Sequence, residues 1–376
     1  MNELKVQSKP GTPLYVSVQE AVRTAIERGR YQPGEQLPST KALSEQLEVS
    51  LVTVHRAMQE LVATGVLRRG QGRGTFVHED YAQRSRKTHG MRVGLVFHAE
   101  SSLADSYHGQ IVEGVRRQAD ELGIDLVLLR FGEDWRNECR GYLYVNPFPE
   151  QLDKPIRLGK TAHAPNSGLP IIVVGARSHR PGVAAVDTDN IELGRQAASA
   201  LASAGHRRVG FVGGVGTISN DADRWVGFTE ACERLGVKVM PEAVVRSTGW
   251  RLEDEQIAEL SRVLRRPLAE RPTALFAAGY YFALNVYEAA RMCGLEIPTQ
   301  LSVVGVDDPP SAAHLNPPLT TFRQPLVKLG RMAIAELADL VIRGEGAPQQ
   351  VTLSPDLVSR GSVAPPTKVD ARGVAG

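Results

Sequence analysis

Residues 37–77 read LPSTKALSEQLEVSLVTVHRAMQELVATGVLRRGQGRGTFV. Ser39 and Ser50 each precede a segment with apolar residues at helical spacing, and a serine hydroxyl in that position caps the free amides of a helix. The first segment predicts a short helix over residues 40–47. The second predicts a helix that begins at Ser50 and stops at Gly65, a residue type common at helix ends. Two helices joined by a tight turn form a helix-turn-helix.

The segment after Gly65 predicts a small β-hairpin. Two short strands, residues 66–69 and 75–77, flank the glycine-rich run GQGRG. Three glycines make a thin tip whose backbone can approach a phosphate or enter a minor groove, while neighbouring arginines supply positive charge. A helix predicted over residues 13–28 has an apolar stripe that must pack on this unit. The whole segment is therefore predicted to be a winged helix-turn-helix.

Polar side chains lie near the N-terminal end of the second helix of the pair. Apolar residues at helical spacing face inward from Val54 onward, which leaves Thr53, His55 and Arg56 on or near the outward side. A recognition helix places such side chains against base edges and phosphates. The alternative interpretation is an ordinary solvated helix face.

Across residues 13–77 the sequence resembles the GntR family of bacterial regulators, and the segment quoted above carries the resemblance. The resemblance implies that a basic residue early in the second helix contacts DNA, that the start of the third helix reads an operator, and that the wing tip reaches the minor groove. The implied DNA-binding residues are Ser39, Lys41, Ser50, Thr53, His55, Arg56, Gln71, Gly72 and Arg73. The family often has an arginine directly after the Ser50 position. This chain has Leu51 there, and so lacks a bidentate partner for guanine.

Residues 78–90, HEDYAQRSRKTHG, carry charges without apolar periodicity and predict an exposed linker. From residue 91 onward, short apolar runs alternate with amphipathic segments. The predicted strands are 93–97, 125–129, 170–174, 209–212, 274–277 and 301–306, and the predicted helices are 110–122, 191–204, 224–235 and 281–293. This alternation predicts an α/β fold of parallel sheets with helices on both faces and a ligand at the C-terminal ends of the strands.

Residues 91–363 resemble the sensor domain of LacI-type regulators, which is itself similar to sugar-binding periplasmic proteins. Four phrases follow that family in order and spacing: VDTDNIELGRQAASALASAGHRRVGFVGG, DADRWVGFTEAC, IPTQLSVVGVDD and PPLTTFRQP. The resemblance implies two lobes joined by three crossings, near Asp187, Phe322 and Gln349, with an effector in the cleft between them. The predicted organisation is a DNA-binding domain over 1–77, a linker over 78–90, a two-lobed sensor over 91–363 and a disordered tail over 364–376.

The same resemblance implies the effector-binding residues Tyr107, His108, Arg224, Trp250, Tyr280 and Asp307. Arg224 matches an arginine that binds hydroxyls or carboxylates, and a guanidinium offers five fixed donors for that work. Asp307 matches an acceptor, and Trp250 matches an aromatic ring that stacks on the effector. Alternative interpretations stay open for each: a structural ion pair for Arg224, plain core for Trp250, and surface loop for Tyr107 and His108.

The sequence departs from the sugar-binding relatives at two places. Gly279 and Tyr280 stand where those proteins have Asn-Asp before a helix, and Gly175 stands where several have an aspartate. Buried hydroxyls need paired partners, so the loss of two polar groups argues against a simple sugar as effector.

A third departure is the short segment RFGEDWRNECRG between Leu129 and Tyr142. A parallel crossover needs about a dozen or more residues and usually a helix. The second helix of the family is therefore expected to be missing or much shortened. Either the edge of this lobe is rearranged, or the strand over residues 143–145 does not rejoin the sheet in the usual way.

Composition and overall sequence features limit which other kinds of protein this chain could be. A chain of 376 residues, 42% hydrophobic and 23% charged, exceeds what one core usually serves, and its first 90 residues hold 13 basic against 9 acidic side chains. The polar start and the lack of a long apolar run predict a cytoplasmic protein without a membrane partner. Three distant cysteines predict neither a disulfide framework nor a zinc site. With no catalytic motif or phosphate loop, no enzyme activity, metal or cofactor is expected.

The leading hypothesis is a homodimeric repressor that binds double-stranded operator DNA and is released by a small-molecule effector, most simply a carbohydrate-like one. A dimer would match the two-fold symmetry of an operator palindrome. Two alternatives remain: a constitutive DNA-binding regulator with a degenerate sensor, and a small-molecule-binding module without a DNA role.

Overall fold

The computed structural model describes residues 13–27, 29–70, 74–79, 88, 90–99, 101, 104–133, 139–153, 157–158, 161–162, 169–214, 216, 218–343 and 349–367. Within these residues the chain forms a small helical head with a β-hairpin, followed by two α/β lobes. The predicted fold class is confirmed. No described helix is long and apolar enough to cross a membrane.

The head contains three helices and one hairpin, namely α1 (Leu14–Glu27), α2 (Thr40–Leu47), α3 (Leu51–Ala63), β1 (Leu67–Gly70) and β2 (Gly74–Val77). Both predicted caps are present: the Ser39 hydroxyl accepts a bond from the amide of Ala42, and the Ser50 hydroxyl accepts one from the amide of Thr53, each at 3.2 Å. The elements share one core of fully buried aliphatic side chains that includes Val18, Leu43, Val54, Leu61 and Val77.

The sensor contains the remaining elements in chain order: β3 (Met91–Phe97), α4 (Ser106–Leu122), β4 (Ile124–Arg130), β5 (Tyr142–Val145), α5 (Pro149–Asp153), β6 (Arg157–Leu158), β7 (Thr161–Ala162), β8 (Ile171–Val174), β9 (Ala184–Thr188), α6 (Asn190–Ser203), β10 (Arg208–Gly214), α7 (Ser219–Arg234), β11 (Lys238–Ser247), α8 (Asp254–Leu264), β12 (Ala274–Ala277), α9 (Tyr280–Met292), β13 (Ser302–Val306), β14 (Thr320–Arg323), α10 (Leu326–Arg343), β15 (Gln350–Leu353) and β16 (Asp356–Val358).

Two six-stranded sheets define the lobes. The N-lobe sheet has the order β15-β9-β8-β5-β3-β4 with parallel pairing throughout, and the C-lobe sheet has the order β11-β10-β12-β13-β14-β16 with only β16 antiparallel. All four residues of β5, β8 and β12 are buried, which explains their continuous apolar sequences. The C-terminal ends of the strands of both sheets lie around one cleft.

Helices α4 and α10 pack backbone to backbone on the N-lobe sheet. A Cβ atom on Gly114 would lie 2.1 Å from the carbonyl oxygen of Val327, and one on Gly330 would lie 2.2 Å from that of Ile111. Because both helices lack side-chain atoms at their crossing, they approach more closely than ordinary helices and form a rigid pair.

After the short segment between β4 and β5, the chain rejoins the N-lobe sheet in regular parallel pairing. Strand β5 pairs in parallel with β3, with Leu143 opposite Leu95 and Tyr144 opposite Val96. The hypothesis that this strand fails to rejoin the sheet was therefore wrong. Residues 131–133 and 139–141 hold no helix, and residues 134–138 lie outside the described part of the chain.

The chain crosses between the lobes three times: after β9, after β14, and between β15 and β16. The first two crossings lie where the sequence predicted them. The third follows Leu353 rather than Gln349, because β15 first runs beside β9 in the N-lobe, with Gln350 opposite Ala185.

Two further contacts join the lobes to neighbouring parts of the chain, namely the head and the segment after residue 363. Arg23 of α1 in the head forms an ion pair with Glu121 of α4 at 2.8 Å, and Arg331 of α10 binds the same carboxylate at 2.9 Å. At the other end of the chain, the amide of Ala364 donates to the hydroxyl of Ser302 at 3.1 Å. The first residues after 363 therefore run along the C-lobe, and residues 368–376 lie outside the described part of the chain.

Candidate DNA surface and effector cleft

The predicted DNA-binding residues that are described lie at the surface of the head, in α2 and α3 or at their caps. Ser39, Lys41, Ser50, His55 and Arg56 are exposed, and Thr53 is half-buried. The hydroxyls of Ser50 and Thr53 lie 2.7 Å apart in a hydrogen bond, which fixes the first turn of α3. The wing-tip residues Gln71, Gly72 and Arg73 lie outside the described residues.

Arg56 is held in place on the outer side of α3. Its guanidinium carbon lies 4.0 Å from the centroid of the Tyr15 ring, the distance of a cation–π contact. A guanidinium that is already ordered loses less entropy when it binds a phosphate. In β1, Arg68 stacks on Phe76 and binds Glu79 at 2.8 Å, so part of its charge is neutralised within the head.

Two further residues lie on this surface, Leu51, which the sequence analysis noted only for the absence of an arginine, and Val52, which it did not indicate. Leu51 and Val52, in the first turn of α3, are 52% and 78% exposed. The signal in the sequence was Val52, an apolar residue directly after the helix cap that lies on the side opposite Val54, whereas Leu51 continues the inward spacing of Val54 and Met58.

The six predicted effector residues line a single cleft of about 780 Å³ between the lobes. They come from the start of α4, from α7, from the loop after β11, from the start of α9 and from the end of β13. The cleft is also lined by residues that the sequence did not indicate, chiefly Asp105, Asn146, Asn220, Asp221, Tyr281 and Gln324.

Arg224 is buried at the floor of this cleft. Its Nε donates to Oδ1 of Asn190 and its Nη1 donates to the carbonyl oxygen of Ala278, both at 2.8 Å. Asn190 in turn donates to Asp187 at 2.9 Å. No carboxylate among the described residues lies within ion-pair distance of Arg224, so its direct hydrogen-bond partners are neutral groups.

A second hydrogen-bonded chain joins the cleft floor to the lobe crossings. Gln324 donates to Oδ1 of Asp307 at 2.6 Å and accepts from the hydroxyl of Thr188 at 2.7 Å. Thr188 ends β9 and Gln324 follows β14, so both side chains stand where the chain passes between lobes. Burial raises the pKa of Asp307.

Gly175 leaves space that two polar side chains occupy. It has a φ of +79°, and a Cβ there would lie 2.3 Å from the hydroxyl of Tyr107 and 2.6 Å from Oδ1 of Asn146. The Tyr107 hydroxyl donates to that Asn146 oxygen at 3.3 Å. The lost family aspartate is thus replaced in space by a tyrosine and an asparagine, and burial raises the pKa of Tyr107.

Tyr107 and His108 were predicted in a loop, and the structure places them in the first turn of α4. Asp105 caps this helix by accepting from the amide of Tyr107 at 2.8 Å, which starts α4 four residues earlier than the predicted start at residue 110. The sequence signal was an aspartate cap that the apolar periodicity alone did not reveal. Burial lowers the pKa of His108, which favours the neutral imidazole.

Aromatic side chains form the outer rim of the cleft. Trp250 and Tyr281 are each 44% exposed, which excludes a core role for Trp250. The rings of Tyr280 and Tyr281 meet edge to face with centroids 5.8 Å apart, and the Tyr280 hydroxyl bonds Ser311 at 2.7 Å. Exposed rings at the mouth of a polar cleft offer flat faces to a ligand.

Asp187→Asn is expected to flatten the pH dependence of the unfolding free energy between about pH 4 and pH 7. Burial raises the pKa of Asp187 from 3.8 to about 7, so the folded protein retains a proton that the unfolded chain has released. Stability then falls as the pH rises through this window and levels off above it. Chemical denaturation at stepped pH measures the slope, with the exposed carboxylate of Asp125 changed to Asn as control. An unchanged slope in Asp187→Asn would contradict the assignment.

A winged helix-turn-helix head joined to a two-lobed cleft defines a ligand-responsive transcription regulator. Residues 14–77 match the gntR family of bacterial regulatory proteins, and residues 198–363 match the periplasmic binding protein-like domain. Among the described residues, no cluster of three or more histidine, cysteine, aspartate or glutamate side chains could hold a metal ion.

Relatives of known function extend this match over most of the chain. The sequence is 26% identical over 365 residues to the arabinose metabolism transcriptional repressor of Geobacillus stearothermophilus, covering 93% of this chain and 97% of the relative. It is 30% identical over 292 residues to the HTH-type transcriptional repressor PurR of Shigella sonnei (strain Ss046), covering 73% and 81%. The chain belongs to the LacI-type family of DNA-binding transcriptional regulators, with a gntR-family head, and it is not an enzyme.

A solved structure shows the same fold. A LacI family transcriptional regulator from Mycobacterium smegmatis superposes with a TM-score of 0.61 at 24% identity, covering 73% of this chain and 100% of that one.

Proposed function

We propose that this chain acts in the cytoplasm as a homodimeric repressor whose two heads occupy the halves of an operator and are released when a carbohydrate-like effector binds the cleft. The observation that carries the proposal is the presence, in one chain, of a helix-turn-helix whose second helix has an exposed first turn and of a cleft lined by Arg224 and Asp307. The proposed units are a DNA-binding domain over 1–77, a linker over 78–90, a sensor over 91–363 and a tail over 364–376.

The chemistry of the cleft favours an uncharged ligand with several hydroxyls. Asp105, Asp221 and Asp307 line it together with a single guanidinium, that of Arg224. Burial raises the pKa of Asp221 and Asp307, but even with both protonated the charge of Asp105 balances that of Arg224, so the cleft has no excess positive charge to attract phosphates and other anions. The carboxylates and the amides of Asn146 and Gln324 are acceptors and donors of the kind that hydroxyls need. The relative named as an arabinose metabolism repressor supports a sugar or a close derivative.

Effector binding would change the relative positions of the two lobes, which already contact each other across the cleft. Arg177 of the N-lobe pairs with Asp223 of α7, and its amide donates to the Ser219 hydroxyl at 2.7 Å. Asn220 of the same helix donates to the carbonyl oxygen of Gly175 at 3.3 Å. A ligand that binds the closed arrangement more tightly than the open one shifts the lobes toward closure and so repositions the heads of a dimer.

A constitutive regulator with a degenerate sensor is less well supported. That alternative depended on an irregular N-lobe, but β5 pairs with both β3 and β8 in regular parallel register. The cleft at the ends of these strands retains a buried floor of paired polar groups. Calorimetric titration against a metabolite panel separates the two, because a degenerate sensor would give no heat with any ligand while operator binding stayed tight.

The test of the DNA role is selection of duplexes from random and genomic pools by the full chain, followed by affinity measurements at several salt concentrations. Enrichment of a palindrome supports a dimeric repressor. Failure to prefer any duplex, even at low salt, would remove the regulator function from this chain.

Arg56→Ala is expected to weaken operator binding by about tenfold and to reduce the salt slope by about 1 for each phosphate that the variant no longer neutralises. Arg73→Ala, predicted at the wing tip, should have the same two effects. Arg266→Ala, on the sensor surface and paired with Glu242, serves as the control for a general loss of positive charge. If both head variants kept the wild-type salt slope, their phosphate contacts would be refuted.

A further inference from the structure

The first turn of α3 presents aliphatic carbon where a DNA-reading helix usually presents polar groups. Leu51 is 52% exposed and Val52 is 78% exposed. The hydroxyls of their neighbours Ser50 and Thr53 are hydrogen-bonded to each other at 2.7 Å. The first arginine of the helix is Arg56, more than a turn further along the chain.

Folding of the head does not account for these two side chains. The residues of α3 that enter the core are Val54, Ala57, Met58 and Leu61. At 3.6 residues per turn, Val52 lies roughly 200° around the helix from Val54 and so points away from the core. Leu51 lies roughly 60° from Val54, at the edge of the core-facing stripe, but it is 52% exposed. Single exposed aliphatic residues are common on protein surfaces, but the first turn of a recognition helix is the part that enters the major groove.

We propose that Leu51 and Val52 read thymine methyl groups, so that each half of the operator carries an A·T pair opposite this turn. The inference rests on the proposed DNA-binding function and specifies what that surface selects. The thymine methyl is the apolar group of the major-groove edge, and packing it against an aliphatic side chain removes both from water. A G·C pair would instead place polar atoms against side chains that cannot bond them.

The two hydroxyls strengthen this selection by fixing the helix start. Because Ser50 both caps α3 and binds the Thr53 hydroxyl, the Leu51 and Val52 side chains are held on an ordered turn rather than on a frayed one. An ordered apolar surface loses little conformational entropy on binding, so methyl contacts contribute nearly their full value.

The test replaces thymine by deoxyuracil in the duplex that the full chain selects. This exchange removes one methyl group and leaves base pairing unchanged. At the contacted thymine it should weaken binding by about fourfold, the equivalent of roughly 0.8 kcal/mol for one buried carbon group. The weakening should be the same at every salt concentration, since the phosphate contacts are unaltered. Deoxyuracil at thymines outside the contacted pairs is the internal control.

Variants of α3 assign the effect to its residues. Leu51→Ala and Val52→Ala should bind the thymine and deoxyuracil duplexes with nearly equal affinity, whereas Arg56→Ala should weaken both and keep the ratio between them. Leu51→Arg should move the preferred pair toward G·C, because arginine forms two bonds with guanine. Both positions are exposed, so thermal unfolding should show that these variants fold normally.

Each outcome decides something different. If no duplex is enriched, the DNA-binding proposal itself fails. If a duplex is enriched but deoxyuracil has no effect, or Leu51→Ala and Val52→Ala keep the fourfold ratio, thymine reading is overturned while the regulator function stands. A change in oligomeric state of these variants, with the ratio intact, would assign the apolar turn to a protein contact and would also overturn the inference.

Discussion

Arg224→Ala should abolish the thermal stabilisation that the effector confers and weaken its binding by at least about 100-fold, or roughly 3 kcal/mol. The guanidinium is the single positive group among the described cleft residues, and it is 5% exposed. Two of its N–H groups bind Asn190 and Ala278, which fixes the guanidinium in the lining of the cleft. The alanine variant loses the charge-assisted hydrogen bonds from the guanidinium to the effector, and water that fills the space would not replace their strength.

A thermal-shift screen with sugars, sugar phosphates and nucleosides supplies the ligand for this measurement. Arg195→Ala removes a half-buried arginine of the same lobe that is paired with Glu230 and does not line the cleft, and it should leave the ligand-induced shift unchanged. Arg224→Lys keeps the charge but loses the planar set of donors, so an intermediate affinity is expected. Ligand-induced stabilisation of Arg224→Ala equal to that of the wild type would remove this residue from the site.

The elements that the sequence predicted best have local causes. The caps at Ser39 and Ser50 and the apolar spacing that follows them determine α2 and α3 within the chain segment itself. Strands such as β14, β15 and β16 were not predicted, because they lack the continuous apolar run of the equally short strands β8 and β12 and form by pairing with distant parts of the chain. A short apolar run does not carry enough periodicity to reveal such pairing.

The same distinction between locally determined features and features that depend on distant contacts applies to the cleft. Arg224 and Asp307 stand in phrases that match the family, so the resemblance indicated them. Asn146 and Gln324 follow strands that lie far apart in the chain, and only the folded sheets bring these two side chains together in the lining of the cleft. Gly175 looked like a lost polar group, but the space left by its missing side chain admits Tyr107, a compensation that depends on three-dimensional proximity.

Gly114→Ala is expected to destabilise the sensor by about 3 kcal/mol, the upper part of the usual range for overpacking. Two effects oppose each other at this position. Alanine favours a helix over glycine by about 1 kcal/mol. Against that, its methyl carbon would lie 2.1 Å from the carbonyl oxygen of Val327, a backbone atom that cannot rotate away. The steric overlap outweighs the helix preference, so the variant is less stable: α10 must move outward, and its whole inner face then packs less closely on α4.

The destabilisation should appear as a fall of about 6 to 12 °C in the unfolding temperature, since each kcal/mol shifts a domain of this size by roughly 2 to 4 °C. Gly249→Ala is the control: a Cβ there meets no atom closer than 3.8 Å, and its φ lies outside the left-handed range that disfavours alanine. Helix α10 begins two residues after Gln324, whose amide holds Asp307 in the cleft, so an outward shift should also weaken effector binding. An unfolding temperature within about 1 °C of the wild type would mean that α4 and α10 can separate without cost, and the rigid helix pair would have to be abandoned.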